Sequence, residues 1–297
     1  MATTGGAPAT VLVDLEAGFP DLDVGDVIAL RSATEEADGA AVEWIERRSG
    51  RIMRLPLDEP PADAGSASEV ETVATIDVGT DGEQRGLLGH AMIDGVRYVA
   101  YTEPSADHLV VAALAATGDV DRIVWDAGGT AGGAVGGHLE VLDGRLVLGI
   151  GQLTDWAKAN GSGAMVSLDP TGPPDQAPVV LSDGYTNPFA FAPAGDALWV
   201  ADNAVGDDVE RIGRGDLADR GDHDATDAPP RAPSALIALG DGELAVCGFL
   251  DGDLLAWAPE RGYGEALGPC RTGAAALPDG TIVSVTDTAI VRFPATR

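Results

Sequence analysis

Short apolar runs, each closed off by Gly-, Asp- and Pro-rich turns, recur along almost the whole chain. Bounded runs of this kind read as β-strands, and two joined by a tight turn read as a β-hairpin. The segment Asp183–Asn203 shows the unit. After Asp183-Gly184 and Tyr185-Thr186-Asn187-Pro188, the run Phe189-Ala190-Phe191-Ala192 meets a Pro-x-Gly-Asp turn. It resumes as Ala197-Leu198-Trp199-Val200-Ala201 and stops at Asp202-Asn203. Similar pairs occur elsewhere: Gly39–Ile45 with Arg51–Leu55, Gly95–Tyr101 with His108–Ala112, and Gly144–Gly149 with Ala164–Leu168. Gly242–Val246 with Leu254–Trp257 and Gly280–Val285 with Ala289–Phe293 complete the series.

The copies start at residues 39, 95, 144, 196, 242 and 280, at spacings of 56, 49, 52, 46 and 38. Self-similarity at roughly forty to fifty residues, with short strands in each unit, is the mark of propeller blades. Several copies carry an upstream apolar run suited to an innermost strand: Leu139–Leu142, Phe189–Phe191 and Ala274–Leu277. Six copies predict six blades. The strand Thr10–Leu15 is expected to join the C-terminal strands and close the ring, which leaves no long open edge. No segment shows a long helical period, which excludes a doubly wound α/β fold. The fold class is therefore all-β, a six-bladed β-propeller over residues 10–297 behind a flexible arm at residues 1–9. Two acidic stretches containing proline, 57–70 and 216–233, read as long connections.

Composition adds constraints on partners. The 40 Gly and 19 Pro suit a fold rich in turns, and 45% hydrophobic residues suffice for a substantial core. Asp and Glu number 48 against 18 basic residues, Lys158 is the only lysine, and the formal net charge is −30. Such a surface repels phosphate backbones and anionic lipid, so no nucleic-acid partner is expected. It favours cations and neutral ligands, and it suits solubility in salt. No apolar stretch is long enough for a membrane span. Cys247 and Cys270 lack metal-ligand spacing and are either a disulfide between neighbouring strands or two buried thiols. No secretory signal is visible at residues 1–9. The chain is expected to be extracytoplasmic, a mature periplasmic or secreted protein, with a cytoplasmic one as the alternative.

Local motifs for chemistry are few. The glycine-rich run Gly128–Gly137 leads into a strand, so a phosphate cradle would lack its helix N-terminus. Asp21-x-Asp23-x-Gly25-Asp26 begins like a calcium loop, but Ser32 stands where the closing Glu belongs. His108 and His223 read as structural or solvated. His90 and His138 lie near inner segments, where a histidine facing the central funnel can act as a general base.

Several segments, in chain order, resemble the glucose/sorbosone dehydrogenases, a family of quinoprotein propellers. Trp44–Ile52 is similar to that family's L-V-T-E-R-x-G-R-I, Glu83–Ala91 to E-x-G-L-L-G-I-A, and Tyr98–Thr102 to Y-V-Y-Y-T. Gly136–Leu146 is similar to H-x-G-G-R-L…D-G-x-L, and Gly184–Pro188 to G-H-R-N-P. The likeness spans most of residues 10–293, and Gly86–Gly89 and Gly184–Pro188 are its most specific parts.

The resemblance implies a six-bladed propeller that oxidises aldoses with pyrroloquinoline quinone (PQQ) and calcium, with a small sugar or related ligand in the central funnel. It also implies site residues. Asn187 falls in the pocket, Thr186 stands where the family has a quinone-contacting Arg, and Gln152 stands where an acidic residue ends the next strand. These are the cofactor-binding candidates. Ala204 and Val205 correspond to a Gly-Pro whose carbonyls face calcium, and Asp202 keeps an acidic strand end; these are the metal candidates. The family's catalytic His falls at Ala134, which accepts no proton; His138, four residues on, is the replacement candidate. Loss of a general base costs about 10²–10⁴-fold. Three readings follow: a divergent PQQ-dependent aldose dehydrogenase, a non-catalytic propeller that binds a sugar or a protein, and a metal-dependent gluconolactonase-like hydrolase using Asn187 and Asp202.

Overall fold

A computed structural model describes residues 9–35, 39–57, 70–82, 84–130, 134–153, 161–194, 197–203, 210–215, 231–240 and 243–295. The arm at residues 1–8 and most of the two long acidic connections, 58–69 and 216–230, lie outside the described residues. Strands dominate and form six antiparallel sheets.

The first strand, β1 (Thr10–Asp14), belongs to the last sheet. Blade one is β2 (Val27–Glu35), β3 (Gly39–Glu46), β4 (Arg51–Pro56) and β5 (Glu71–Thr75). Blade two is β6 (Leu87–Ile93), β7 (Val96–Thr102), β8 (His108–Leu114) and β9 (Val120–Thr130). Blade three is β10 (Gly136–Leu142), β11 (Arg145–Ile150), β12 (Ala164–Leu168) and β13 (Val179–Asp183). Blade four comprises β14 (Pro188–Ala194), β15 (Ala197–Asp202) and β16 (Arg211–Arg214) among the described residues. Blade five is β17 (Pro233–Gly240), β18 (Glu243–Gly248), β19 (Asp253–Ala258) and β20 (Gly262–Pro269). Blade six is β21 (Ala274–Ala276), β22 (Thr281–Val285) and β23 (Ala289–Pro294), with β1 paired on the outside of β23. The six-bladed propeller and its closure by the N-terminal strand are as the repeat predicts. Leu15, expected in that closing strand, instead opens a one-turn helix, because Asp14 accepts the Ala17 N–H at 2.9 Å and caps it.

Each inner strand packs on the next, β2 on β6, β6 on β10, and so on through β21 back to β2, so the ring closes around an axis. The core lies between blades. Six apolar clusters among the described residues each join two neighbouring sheets. Both faces of a sheet are therefore covered, which explains the near-continuous apolar runs of strands such as β12 and β18. Trp44, Trp125 and Trp257 are fully buried in these layers. Cys247 and Cys270 form a disulfide with Cα atoms 5.5 Å apart, tying β18 to the segment after β20.

One departure from regular pairing recurs. The inner strands of blades one to five each carry a register shift near their start: between Ile28 and Arg31, Leu87 and Gly89, Gly136 and Leu139, Pro188 and Ala190, and Pro233 and Ala235. Such bulges re-aim side chains. In β2 the shift coincides with Ala29 at φ 51°, a left-handed conformation that costs a non-glycine residue about 1 kcal/mol or more.

Candidate functional site

At the rim where the inner strands begin, the structure brings Gln152, Thr186, Asn187 and Asp202 together beside the loop that holds Ala134. Asp202 ends β15 and is buried; its carboxylate accepts the Thr186 N–H at 3.0 and 3.1 Å and the Asn187 N–H at 2.7 Å. Asn187 is fully buried. Its Oδ1 accepts the Gly136 N–H at 3.1 Å, and its Nδ2 donates to Gln84 Oε1 at 3.1 Å. The carboxamide thus fastens blade four to the entrances of blades two and three. Thr186 O accepts the Gln152 N–H at 3.1 Å, and the Gln152 side chain is exposed. Ala134 is buried at 6% exposure, next to Val135, whose carbonyl accepts the Gly151 N–H. Ala204 and Val205 lie outside the described residues.

His138 does not join this rim. It sits in β10, within the register shift, and faces the axial cavity together with Glu140 two positions on. That cavity holds about 270 Å³ and runs along the inner strands, with walls that include Ile28, Leu88, Phe189, Leu236 and Ala275. Among the described residues, its ionisable lining is Arg31, His138 and Glu140. His138 Nε2 lies 3.3 Å from Glu140 Oε1, and its ring meets Phe191 edge-on at 4.7 Å between centroids. Desolvation acts to raise the Glu140 pKa. The hydrogen bond and charge of His138, with the charge of Arg31, outweigh it and hold the group below its ordinary value. Glu140 is therefore a carboxylate at neutral pH.

Behind Arg31 lies a buried polar cluster. Arg31 Nη1 donates to the His90 carbonyl at 3.0 Å, and His90 Nε2 donates to the Ala29 carbonyl at 3.1 Å. This reciprocal pair ties β2 to β6 across the bulge. Arg97 grips Glu43 through two bonds, at 2.6 and 2.9 Å, and lies 3.4 Å from His90 Nδ1. Burial first, then the charges of Arg31 and Arg97, lower the His90 pKa well below its ordinary value. The ring is neutral, with Nε2–H donating and Nδ1 accepting, the tautomer its partners require.

Sequence reasoning groups Asn187, Thr186, Gln152 and Asp202 near one another, as the structure does. It misses Arg31 and Glu140. Glu140 carries a signal, since period-two alternation puts it on the face of His138. Arg31 carries a misleading one. Strict alternation would turn Ile28 and Leu30 to one side and Arg31 to the other. The bulge instead sends Leu30 into the blade-six to blade-one cluster and Arg31 towards His90 of blade two. One of the two most family-specific segments, Gly86–Gly89, is packed against neighbouring backbone and serves the scaffold. A Cβ on Gly86 would lie 2.2 Å from the Arg47 carbonyl, and one on Gly89 would lie 2.4 Å from the Gly137 carbonyl.

No protein-family model matches the chain, and neither does any curated protein. Solved structures do. A Thermus thermophilus protein assigned as an oxidoreductase (glucose dehydrogenase) matches with a TM-score of 0.66 and 21% identity, over 96% of this chain and 99% of that one. The soluble aldose sugar dehydrogenase of Escherichia coli, in its apo form, matches with a TM-score of 0.68 and 17% identity, over 96% and 98%. A streptogramin B lyase also matches, with a TM-score of 0.54 and 12% identity over 96% of each chain. At these identities the likeness establishes the propeller fold. The fold is shared by sugar dehydrogenases and a lyase alike, so chemistry must be argued from side chains.

Proposed function

We propose that this chain uses the sugar-dehydrogenase propeller scaffold to bind a small sugar or related ligand in its central funnel, without quinone-dependent oxidation. The observation that carries the reading is the state of the rim. Ala134 stands at the position of the base, and the carboxylate of Asp202 and the carboxamide of Asn187 are buried and bonded to backbone and to Gln84. PQQ is a polyanion, and its chemistry needs a proton acceptor beside the substrate. The described rim residues offer neither a base nor a guanidinium at Ala134 and Thr186. No group of three or more His, Cys, Asp or Glu gathers for a metal ion among the described residues. The described rim residues therefore do not fit the quinone that the resemblance implies, and they offer no cluster of side-chain ligands in support of the metal-dependent lactonase reading. Aldose oxidation is favoured by the fold likeness alone.

Both halves of the proposal are testable. With PQQ and calcium added, the chain is expected to show no aldose-dependent dye reduction; sustained reduction would overturn the non-catalytic reading. In thermal-shift or calorimetric titrations, a sugar or sugar derivative is expected to bind, and silence across neutral and acidic sugars would sink the binding reading. The Cys247–Cys270 disulfide supports an extracytoplasmic location. No helix among the described residues is long and apolar enough to cross a membrane.

A further inference from the structure

The axial cavity is set apart from the rim. Asn187, Asp202, Thr186 and Gln152 do not line it, whereas Arg31, His138 and Glu140 do. Elsewhere its walls are small or apolar, with Ala29, Ala235, Ala274 and Ala275 leaving room that larger side chains would fill. A cavity with apolar walls and a few convergent polar groups is the usual form of a small-molecule site.

The polar groups are held in place rather than left loose. Arg31 is aimed by a bulge whose Ala29 adopts a left-handed conformation, and that strain persists because His90 holds the Ala29 carbonyl at 3.1 Å. The His90 carbonyl in turn engages Arg31 Nη1 at 3.0 Å, one of five guanidinium donors. His138 is fixed between Glu140 and the Phe191 ring. Backbone strain maintained around an aimed side chain points to use of that side chain.

The chemistry of the lining selects a ligand class. A neutral sugar can hydrogen-bond Glu140 and His138 but leaves a partly buried guanidinium facing hydroxyls. A carboxylate matches the guanidinium fork bidentately. The net charge of −30 opposes entry of an anion from afar, yet at physiological salt that field fades over roughly 8 Å, while the contact inside the cavity is screened far less. Glu140 would repel a carboxylate placed beside it. That sets the orientation, with the acid group on Arg31 and the hydroxyls on His138 and Glu140.

We infer that the axial cavity binds a sugar acid, a polyol bearing one carboxylate, through Arg31 and the His138–Glu140 pair. The inference rests on the binding reading above and names its ligand class.

Calorimetric titration of the full chain with D-glucuronate and D-glucose, which differ at one carbon, tests it. Glucuronate is expected to bind at least about tenfold tighter than glucose. Arg31→Gln is expected to weaken glucuronate by roughly 10- to 100-fold and to weaken glucose by clearly less. Should Arg31→Gln fail to fold by circular dichroism, Arg31→Lys serves instead. It keeps the charge and loses the fork, and it is expected to lose at least severalfold in glucuronate affinity. Equal binding of the two sugars, or glucuronate binding untouched by the substitution that folds, overturns the inference and leaves the binding reading standing. If neither sugar nor acid binds, both fall.

Discussion

His90 is a buried, neutral imidazole whose environment makes protonation costly. Its pKa in the fold is below its value in the unfolded chain, so below about pH 6.5 the unfolded state binds the proton that the fold refuses. The stabilising effect of this neutral His90 is therefore complete above about pH 6.5 and declines as pH falls towards the folded pKa. Comparing the wild type with His90→Gln cancels the carboxylates that titrate in both. The gap in Tm between the two is expected to narrow from pH 7 to pH 5, and a constant or widening gap would contradict the assignment. Asp202 makes a second prediction at this scale. Truncation to Ala strands the buried N–H of Asn187 and the partly buried N–H of Thr186 and should cost about 3 kcal/mol in urea unfolding. A cost below about 1 kcal/mol would mean that the carboxylate is not the anchor of this turn.

Between blades one and two, β3 and β7 share the Glu43–Arg97 pair, with Glu43 at 1% exposure. A buried pair is costly to break from one side and cheap to replace entirely. Arg97→Ala is expected to destabilise by about 3–5 kcal/mol, because it leaves a buried carboxylate unpaired. The double variant Glu43→Leu with Arg97→Leu is expected to cost less than Arg97→Ala alone. Denaturant midpoints decide this, and an additive double variant would show that the two side chains act independently. Elements also show the limit of pattern reading. The second and third strands of the blades, such as β3 with β4 and β7 with β8, stand out because both of their faces are buried and a tight turn joins them. The outer strands β5 and β13 do not, being short and largely exposed, with patterns E-T-V-A-T and V-V-L-S-D.

The whole molecule carries a net charge of −30, with self-repulsion that a compact fold must tolerate. Raising NaCl from about 0.1 M to about 2 M shortens the screening length from roughly 10 Å to under 3 Å, so Tm is expected to rise. A Tm that falls or stays flat would show that the charge is well accommodated already. The Cys247–Cys270 link closes a loop with a sequence separation of 23, for which chain entropy predicts about 3 kcal/mol of stabilisation. Thermal unfolding with a reductant should therefore begin several degrees lower than without it.

From the amino-acid sequence alone came the blade count, the hairpin pairs, the closing strand and the grouping of Asn187, Thr186 and Asp202. The blade count, hairpins and closing strand follow from local periodicity and turn residues, which are properties of neighbouring positions; the grouping followed from the family resemblance. The pairing of Cys247 with Cys270 needed the folded fifth blade, and the engagement of Asn187 with Gln84, 103 positions away, needed neighbouring blades packed around the axis. So did the axial site. A shift of one residue in β2 or β10 turns every later side chain to the other face. Whether Arg31 and His138 look down the axis was therefore decided by bulges, which a strict alternation of residues does not reveal.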